Sequence, residues 1–170
     1  MEIKIKELTV DDCKYLVEWN YNKDENFLFQ WAGTQIYLYP LNEEQIRNRL
    51  NIENNKIYLI EYNNEPIGSI ELSGINKEEH IGRICRFIIK DDMQGKGIGT
   101  KALKKLIEMV FEDYGINDLL FNVYVYNISA IRCYEKIGFL VEKYNENKKL
   151  NSYTMKINNK NYYKLNKGKE

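Results

Sequence analysis

Three glycines in five residues, Gly95, Gly97 and Gly99, separate a run that reads as a strand from a run that reads as a helix. Phe87, Ile88 and Ile89 are aromatic or β-branched and suit a strand, and Asp91 and Asp92 mark a polar turn. From Leu103 through Leu106, Ile107, Val110, Phe111 and Tyr114, apolar side chains recur at i, i+3 and i+4, the spacing of one buried helix face. Gly115 supplies the expected stop. A turn stripped of side chains where a helix begins suits an anion. The first N–H groups of a helix lack internal partners, and aligned peptide dipoles make that end electropositive. Glycine lets a phosphate come close to them. A P-loop is excluded, because Thr100 stands where its second glycine is required. The dinucleotide fingerprint is met by Gly97, Gly99 and Ala102, but it calls for an acid about 20 residues on, at the end of the next strand. That strand, Leu119 to Val125, holds no carboxylate, and too little chain remains for further βα units.

A third pattern, Gln/Arg-x-x-Gly-x-Gly/Ala, is met by Gln94, Gly97 and Gly99. Downstream, Asn127, Ala130, Tyr134, Gly138 and Phe139 follow Asn-x-x-Ala-x-x-x-Tyr-x-x-x-Gly-Phe, a spacing that sets the first four on one helix face. Taken alone, Tyr134 is equally explained as a core aromatic and Gly138 as a helix stop. Together, and in this order, the two motifs resemble the signatures of the GNAT superfamily of N-acetyltransferases, of the bacterial type near the ribosomal-protein and polyamine branches. The resemblance covers roughly residues 2 to 157. It implies an α/β (α+β) class, the acyl-CoA N-acyltransferase fold, with a mixed, mostly antiparallel sheet flanked by helices on both faces.

Composition sets ordinary limits. The chain has 170 residues, 44% hydrophobic and 29% charged, which is globular and reads as one domain over 1–170. Lys plus Arg equals Asp plus Glu at 25 each, so no global charge recruits nucleic acid or an anionic membrane. Cys13, Cys85 and Cys133 are odd in number and widely spaced, which points away from disulfides and zinc and toward a reducing cytoplasm. Residues 1–6 alternate charged and apolar side chains, unlike a signal peptide, and no apolar run is long enough to span a membrane. A monomer or homodimer without a metal is expected.

In chain order, Ile3 and Ile5 alternate as a first strand. Thr9 with Asp12, and Asn42 with Gln45, read as capping boxes opening two helices. Residues 20–41 read as an irregular aromatic stretch. Ile57–Tyr62 and Ile67–Leu72 form a hairpin across Asn63, Asn64, Glu65 and Pro66. The central strand spans about Ile81 to Lys90, and Phe139–Tyr144 with Ser152–Ile157 close the chain as a second hairpin. The expected order is β-α-α-β-β-β-α-β-α-β-β.

The resemblance implies acetyl transfer from acetyl-CoA to a primary amine, on a small molecule, a polyamine or a protein, by direct attack in a ternary complex. It implies that Phe87, Ile88 and Ile89 hold the pantetheine arm through main chain, and that Gln94, Gly95, Lys96, Gly97, Ile98, Gly99 and Thr100 hold the pyrophosphate. Asn127 bonds the pantetheine amide or caps its helix, Ala130 leaves room for the ligand, and Tyr134 protonates the departing thiolate. An amine attacks only when neutral, yet its free pKa is about 10, so a base or a water chain must take its proton. His80 has a suitable unperturbed pKa near 6.5, and Glu71 offers a relay; each is equally explained as a solvated surface residue. The central-strand glutamate of some relatives has no counterpart, because Arg83, Cys85 and Arg86 occupy that region. Gln30 and Trp31 are the candidates to flank the amine, and Glu18, Asp24 and Glu25 to attract a cation. The alternative class is an acyl-CoA sensor or partner-binding module of the same fold without turnover.

Overall fold

The glycine turn and the two hairpins emerge where the sequence puts them, in a computed structural model that describes residues 2–33 and 35–166. In chain order the elements are β1 (Ile3–Glu7), α1 (Cys13–Asn20), α2 (Glu25–Ala32), α3 (Glu43–Leu50), β2 (Lys56–Tyr62), β3 (Glu65–Asn76) and β4 (Ile81–Ile89). There follow α4 (Ile98–Asp113), β5 (Asp118–Tyr124), α5 (Ile128–Ile137), β6 (Leu140–Asn145), β7 (Ser152–Asn158) and α6 (Asn159–Asn166). The strands stand in the order β1-β2-β3-β4-β5-β7-β6, a mixed and mostly antiparallel sheet. Among the described residues no helix is long and apolar enough to cross a membrane.

The chain divides into two compact units, and both β4 and α4 contribute to each. The first comprises residues 1–73 and 85–102. Its antiparallel ladder runs from Ile3↔Tyr62 to Glu7↔Tyr58 between β1 and β2, and on to β3 with a bulge at Ile60/Glu61. Asn63 and Asn64, at φ of +52° and +67°, make the hairpin turn by themselves. Asn tolerates that left-handed region better than most residues, so Pro66 lies in β3 opposite Glu61 rather than in the turn. Leu8, Cys13, Leu16, Leu28, Ala32, Tyr37, Ile46, Ile57 and Leu59 form one buried cluster. At Gly68 a Cβ would run into the Ile88 carbonyl oxygen, so β3 passes β4 there at a distance only glycine permits.

The 20–41 stretch departs from expectation. It contains α2, opened by the Asp24 side chain accepting from Phe27 N at 2.8 Å and closed by Gly33 at φ +91°. Its own Leu28 and Ala32 are buried, whereas Tyr21, before it, is 82% exposed. Asn42 caps α3 by accepting from Gln45 N at 3.1 Å, but Gln45 does not return the bond. Its side-chain amide instead accepts from Leu38 N and donates to Leu38 O and Pro40 O, pinning the preceding segment. Thr9 and Asp12 make the expected box, leading through a short 3₁₀ turn into α1.

The second unit comprises residues 74–84 and 103–170. Here β4 pairs in parallel with β5 over four residues, Ile81↔Asp118 to Ile84↔Phe121, and β5 continues antiparallel onto β7 and β6. The predicted α4 stripe is buried through Phe111: Leu103, Leu106, Ile107 and Val110 are fully covered and Phe111 nearly so, while Tyr114 lies past the helix end and is half-buried. Helix α6, which the sequence pattern does not announce, buries Tyr162 alone among its residues. That ring meets Phe111 edge-on at 5.9 Å, and its hydroxyl donates to Glu108 at 2.6 Å.

Candidate active site

In the first unit, β4 runs into the glycine turn and α4 begins at Ile98. Gly95 and Gly97 both hold φ of +73°, and a Cβ built on either meets nothing within 4 Å. Gly99 is different: its Cβ would lie 3.4 Å from the Phe87 ring, so it serves close packing of the helix on the strand. Among the described residues, the N–H groups of Gly95, Lys96, Gly97, Ile98 and Gly99 have no protein acceptor. The loop therefore combines unclaimed donors with open space beside Gly95 and Gly97, and it fits an anionic pyrophosphate. Gln94 contributes differently from its neighbours. Its Nε2 donates to Ile89 O at 2.7 Å, which fastens the end of β4 to the turn. Ile88 and Ile89 are buried, Phe87 is half-buried, and Thr100 sits in the first turn of α4.

In the second unit, Asn127 caps α5, its Oδ1 accepting from Ala130 N at 3.2 Å, so of its two expected roles the helix cap is the one observed. Tyr134 is 7% exposed and lies nearly parallel to Phe121, with ring centroids 4.2 Å apart; Phe139 closes the cluster. Gly138, at φ +118°, ends the helix. The Tyr134 hydroxyl has no hydrogen-bond partner among the described residues, and burial pushes its pKa well above the ordinary tyrosine range. It therefore carries its proton at neutral pH.

The two base candidates fare otherwise. His80 occupies the turn before β4 at φ +53°, and its Nδ1 lies 2.8 Å from Gly115 O. Its carbonyl accepts from Asn117 N and Asp118 N. It thus ties the start of the strand to the loop after α4, whereas the glycine turn follows the strand's other end. Glu71, weighed above as a relay or as a solvated surface residue, is 1% exposed. Arg49 reaches it through Nε at 3.0 Å to both oxygens and Nη2 at 2.7 Å. Arg86 reaches it through Nε at 2.5 Å and Nη2 at 2.8 Å. Burial alone would raise this carboxyl, but the bonds from Arg86 and Arg49 outweigh it and hold the pKa below the usual range. A carboxylate so claimed has no lone pair left for a passing proton. This corrects the relay expectation: Glu71 is an ion-pair anchor.

The sequence does not reveal that clasp, because its members lie 22 and 15 residues apart. Arg86 also donates to Ala32 O at 3.0 Å and to Cys85 Sγ at 2.9 Å, and Ser73 Oγ is 3.2 Å from the same sulfur. Burial, the main influence, pushes the Cys85 thiol up, so it is a poor nucleophile. None of the three cysteines forms a disulfide, and among the described residues no group of His, Cys, Asp or Glu is placed to hold a metal.

Of the acceptor candidates, Gln30 is exposed on α2, while Trp31 is half-buried and stacks on Tyr37 at 5.9 Å. Among the described residues, Trp31 Nε1 is buried without a hydrogen-bond partner. Asp24 is spent on its cap.

Comparison with known proteins identifies the family and the fold. The model of the "Acetyltransferase (GNAT) family" matches residues 16–139, which include both motifs. An aminoglycoside N(6')-acetyltransferase type 1 from Klebsiella pneumoniae is 27% identical over 150 residues, covering 81% of this chain and 73% of the relative. A spermidine N(1)-acetyltransferase from Escherichia coli strain K12 is 26% identical over 142 residues, covering 82% and 74%. Among solved structures, spermidine N-acetyltransferase from Vibrio cholerae, in complex with CoA and spermine, superposes with a TM-score of 0.80. That match covers 94% of this chain and 97% of the other at 19% identity, and it speaks to the fold. The chain belongs to the GNAT acetyltransferase family.

Proposed function

We propose that this protein transfers the acetyl group of acetyl-CoA to a primary amine of a small, multiply charged acceptor. The carrying observation is the glycine turn, with its unclaimed N–H groups and two left-handed glycines whose missing side chains leave space for a pyrophosphate. The aminoglycoside and spermidine specificities of the two relatives support such an acceptor, and a reducing cytoplasm suits three thiols without a disulfide.

In this reading the turn from Gln94 to Thr100 orients the co-substrate through its pyrophosphate, and the main chain of Phe87, Ile88 and Ile89 lines the pantetheine arm. Acetyl-CoA supplies the activated thioester. The neutral amine forms the new N–C bond as the C–S bond breaks. Tyr134 donates its proton to the leaving sulfur and is restored from solvent. The amine's own proton leaves through water, since Glu71 is clamped by two arginines and His80 precedes the end of β4 opposite the one that runs into the glycine turn. His80→Gln is therefore expected to leave the ascending limb of the kcat/KM pH profile in place. A profile that flattens near neutral pH would return His80 to the role of base.

Gly97→Val tests the cradle. At φ +73° a β-branched residue is strained, at a cost of about 1–2 kcal/mol, and its methyl groups fill the space assigned to the pyrophosphate. Calorimetric titration is expected to show acetyl-CoA affinity reduced by about tenfold or more, equivalent to at least about 1.4 kcal/mol, in a variant whose circular dichroism is unchanged. Unaltered affinity in the folded variant would end this assignment. Thiol release with polyamines and aminoglycosides, measured beside amino acids and N-terminal peptides, identifies the acceptor class.

A further inference from the structure

We infer that Arg86 is a positioning residue, whose guanidinium sets the backbone of Phe87–Ile89 for the pantetheine arm and fastens it to the end of α2. The inference rests on the acetyl-CoA reading above. Arg86 itself adopts a φ of +48° in the middle of β4, a left-handed kink that an extended strand does not favour. Such a kink persists only where its surroundings over-determine it. Here its own side chain does so. Nε and Nη2 grip Glu71 on β3, and Nη1 holds the Ala32 carbonyl at the last turn of α2. The residue after the kink is Phe87. The strand then continues to Ile89, whose carbonyl Gln94 fastens to the glycine turn. One side chain thus fixes the line of main chain leading to the cradle and the helix bearing Gln30 and Trp31.

Stability alone does not explain the clasp. Two arginines and one carboxylate carry a net charge of +1 at side-chain exposures of 11%, 10% and 1%. Desolvating such a triad offsets much of its attraction, and apolar replacements of matching volume often fold as well or better. In this inference the contribution of the cluster is the geometry it imposes rather than stability. The fork shape matters: Arg86 serves two acceptors in different directions, and a lysine ammonium lacks that fixed fork.

The test compares wild type with Arg49→Met/Glu71→Met/Arg86→Met and with Arg86→Lys. Each is measured for melting temperature, calorimetric affinity for acetyl-CoA, and kcat and KM against the acceptor. The triple variant is expected to melt at or above the wild-type temperature, yet to lose about 10- to 100-fold in acetyl-CoA affinity and in kcat/KM, the scale of a misplacement near 1 Å. Arg86→Lys is expected to fall between the two. A folded triple variant with wild-type affinity and turnover would overturn the inference. If the triple variant does not fold, Arg86→Lys decides: lost affinity at an unchanged melting temperature supports positioning, and unchanged affinity overturns it. Wild type failing to bind acetyl-CoA would instead overturn the cofactor reading, and this inference with it.

Discussion

Tyr134→Phe is expected to lower kcat by about 10²- to 10⁴-fold, the usual cost of losing a positioned general acid. The substitution removes one oxygen and nothing else. The ring keeps its stack on Phe121 and its contact with Phe139. Its hydroxyl bonds to no described residue, so its loss strands no partner, and the melting temperature should scarcely move. The proposed role is that of an acid, and burial, which raises the pKa, keeps the phenol protonated for it. Equal losses in kcat and kcat/KM would put the effect in the transition state, with acetyl-CoA affinity preserved. Nearly full turnover with the true acceptor would reduce Tyr134 to a core aromatic.

Glu71→Leu is expected to cost about 3–5 kcal/mol of folding stability, because it leaves Arg49 and Arg86 buried together without their shared anion. Urea denaturation checks this, and a loss below about 1 kcal/mol would mean that water reaches the guanidiniums. The same group gives a pH dependence. Its folded pKa lies below the unfolded one, so its contribution is fully present above the ordinary carboxylate range near 4.3. That contribution fades as pH falls through the lower folded value. Acid unfolding of wild type should show this loss, and Glu71→Leu should lack that part of it.

The features legible in the sequence are those whose cause is local. Gly95 and Gly97 announce a left-handed turn because few other residues tolerate one, and the α4 stripe announces a helix because a buried face repeats every 3.6 residues. Asn127 as a helix cap follows from the same proximity. What stayed hidden depends on distant partners or weak patterns. Glu71 looked like a surface strand position because strand alternation does not reveal arginines arriving from α3 and β4. Helix α2 was obscured by aromatics spread around its circumference, and Gln45 was read as half of a capping box although its amide serves Leu38 and Pro40. Helix α6 buries one side chain in eight, which is too little apolar signal to register.

That single side chain has a consequence for biosynthesis. A chain emerging from the ribosome has delivered all of the first unit once Ala102 is out. The second unit waits much longer, because Tyr162, on α6, meets the Phe111 ring and engages Glu108. Asn166 then accepts the Lys104 ammonium and bonds the Ile137 carbonyl at the end of α5. Folding of this half therefore finishes only after Asn166 has emerged. A premature stop just beyond β7 would release a polypeptide with both sequence motifs intact but with the Phe111 side of α4 uncovered, a natural substrate for quality-control proteases.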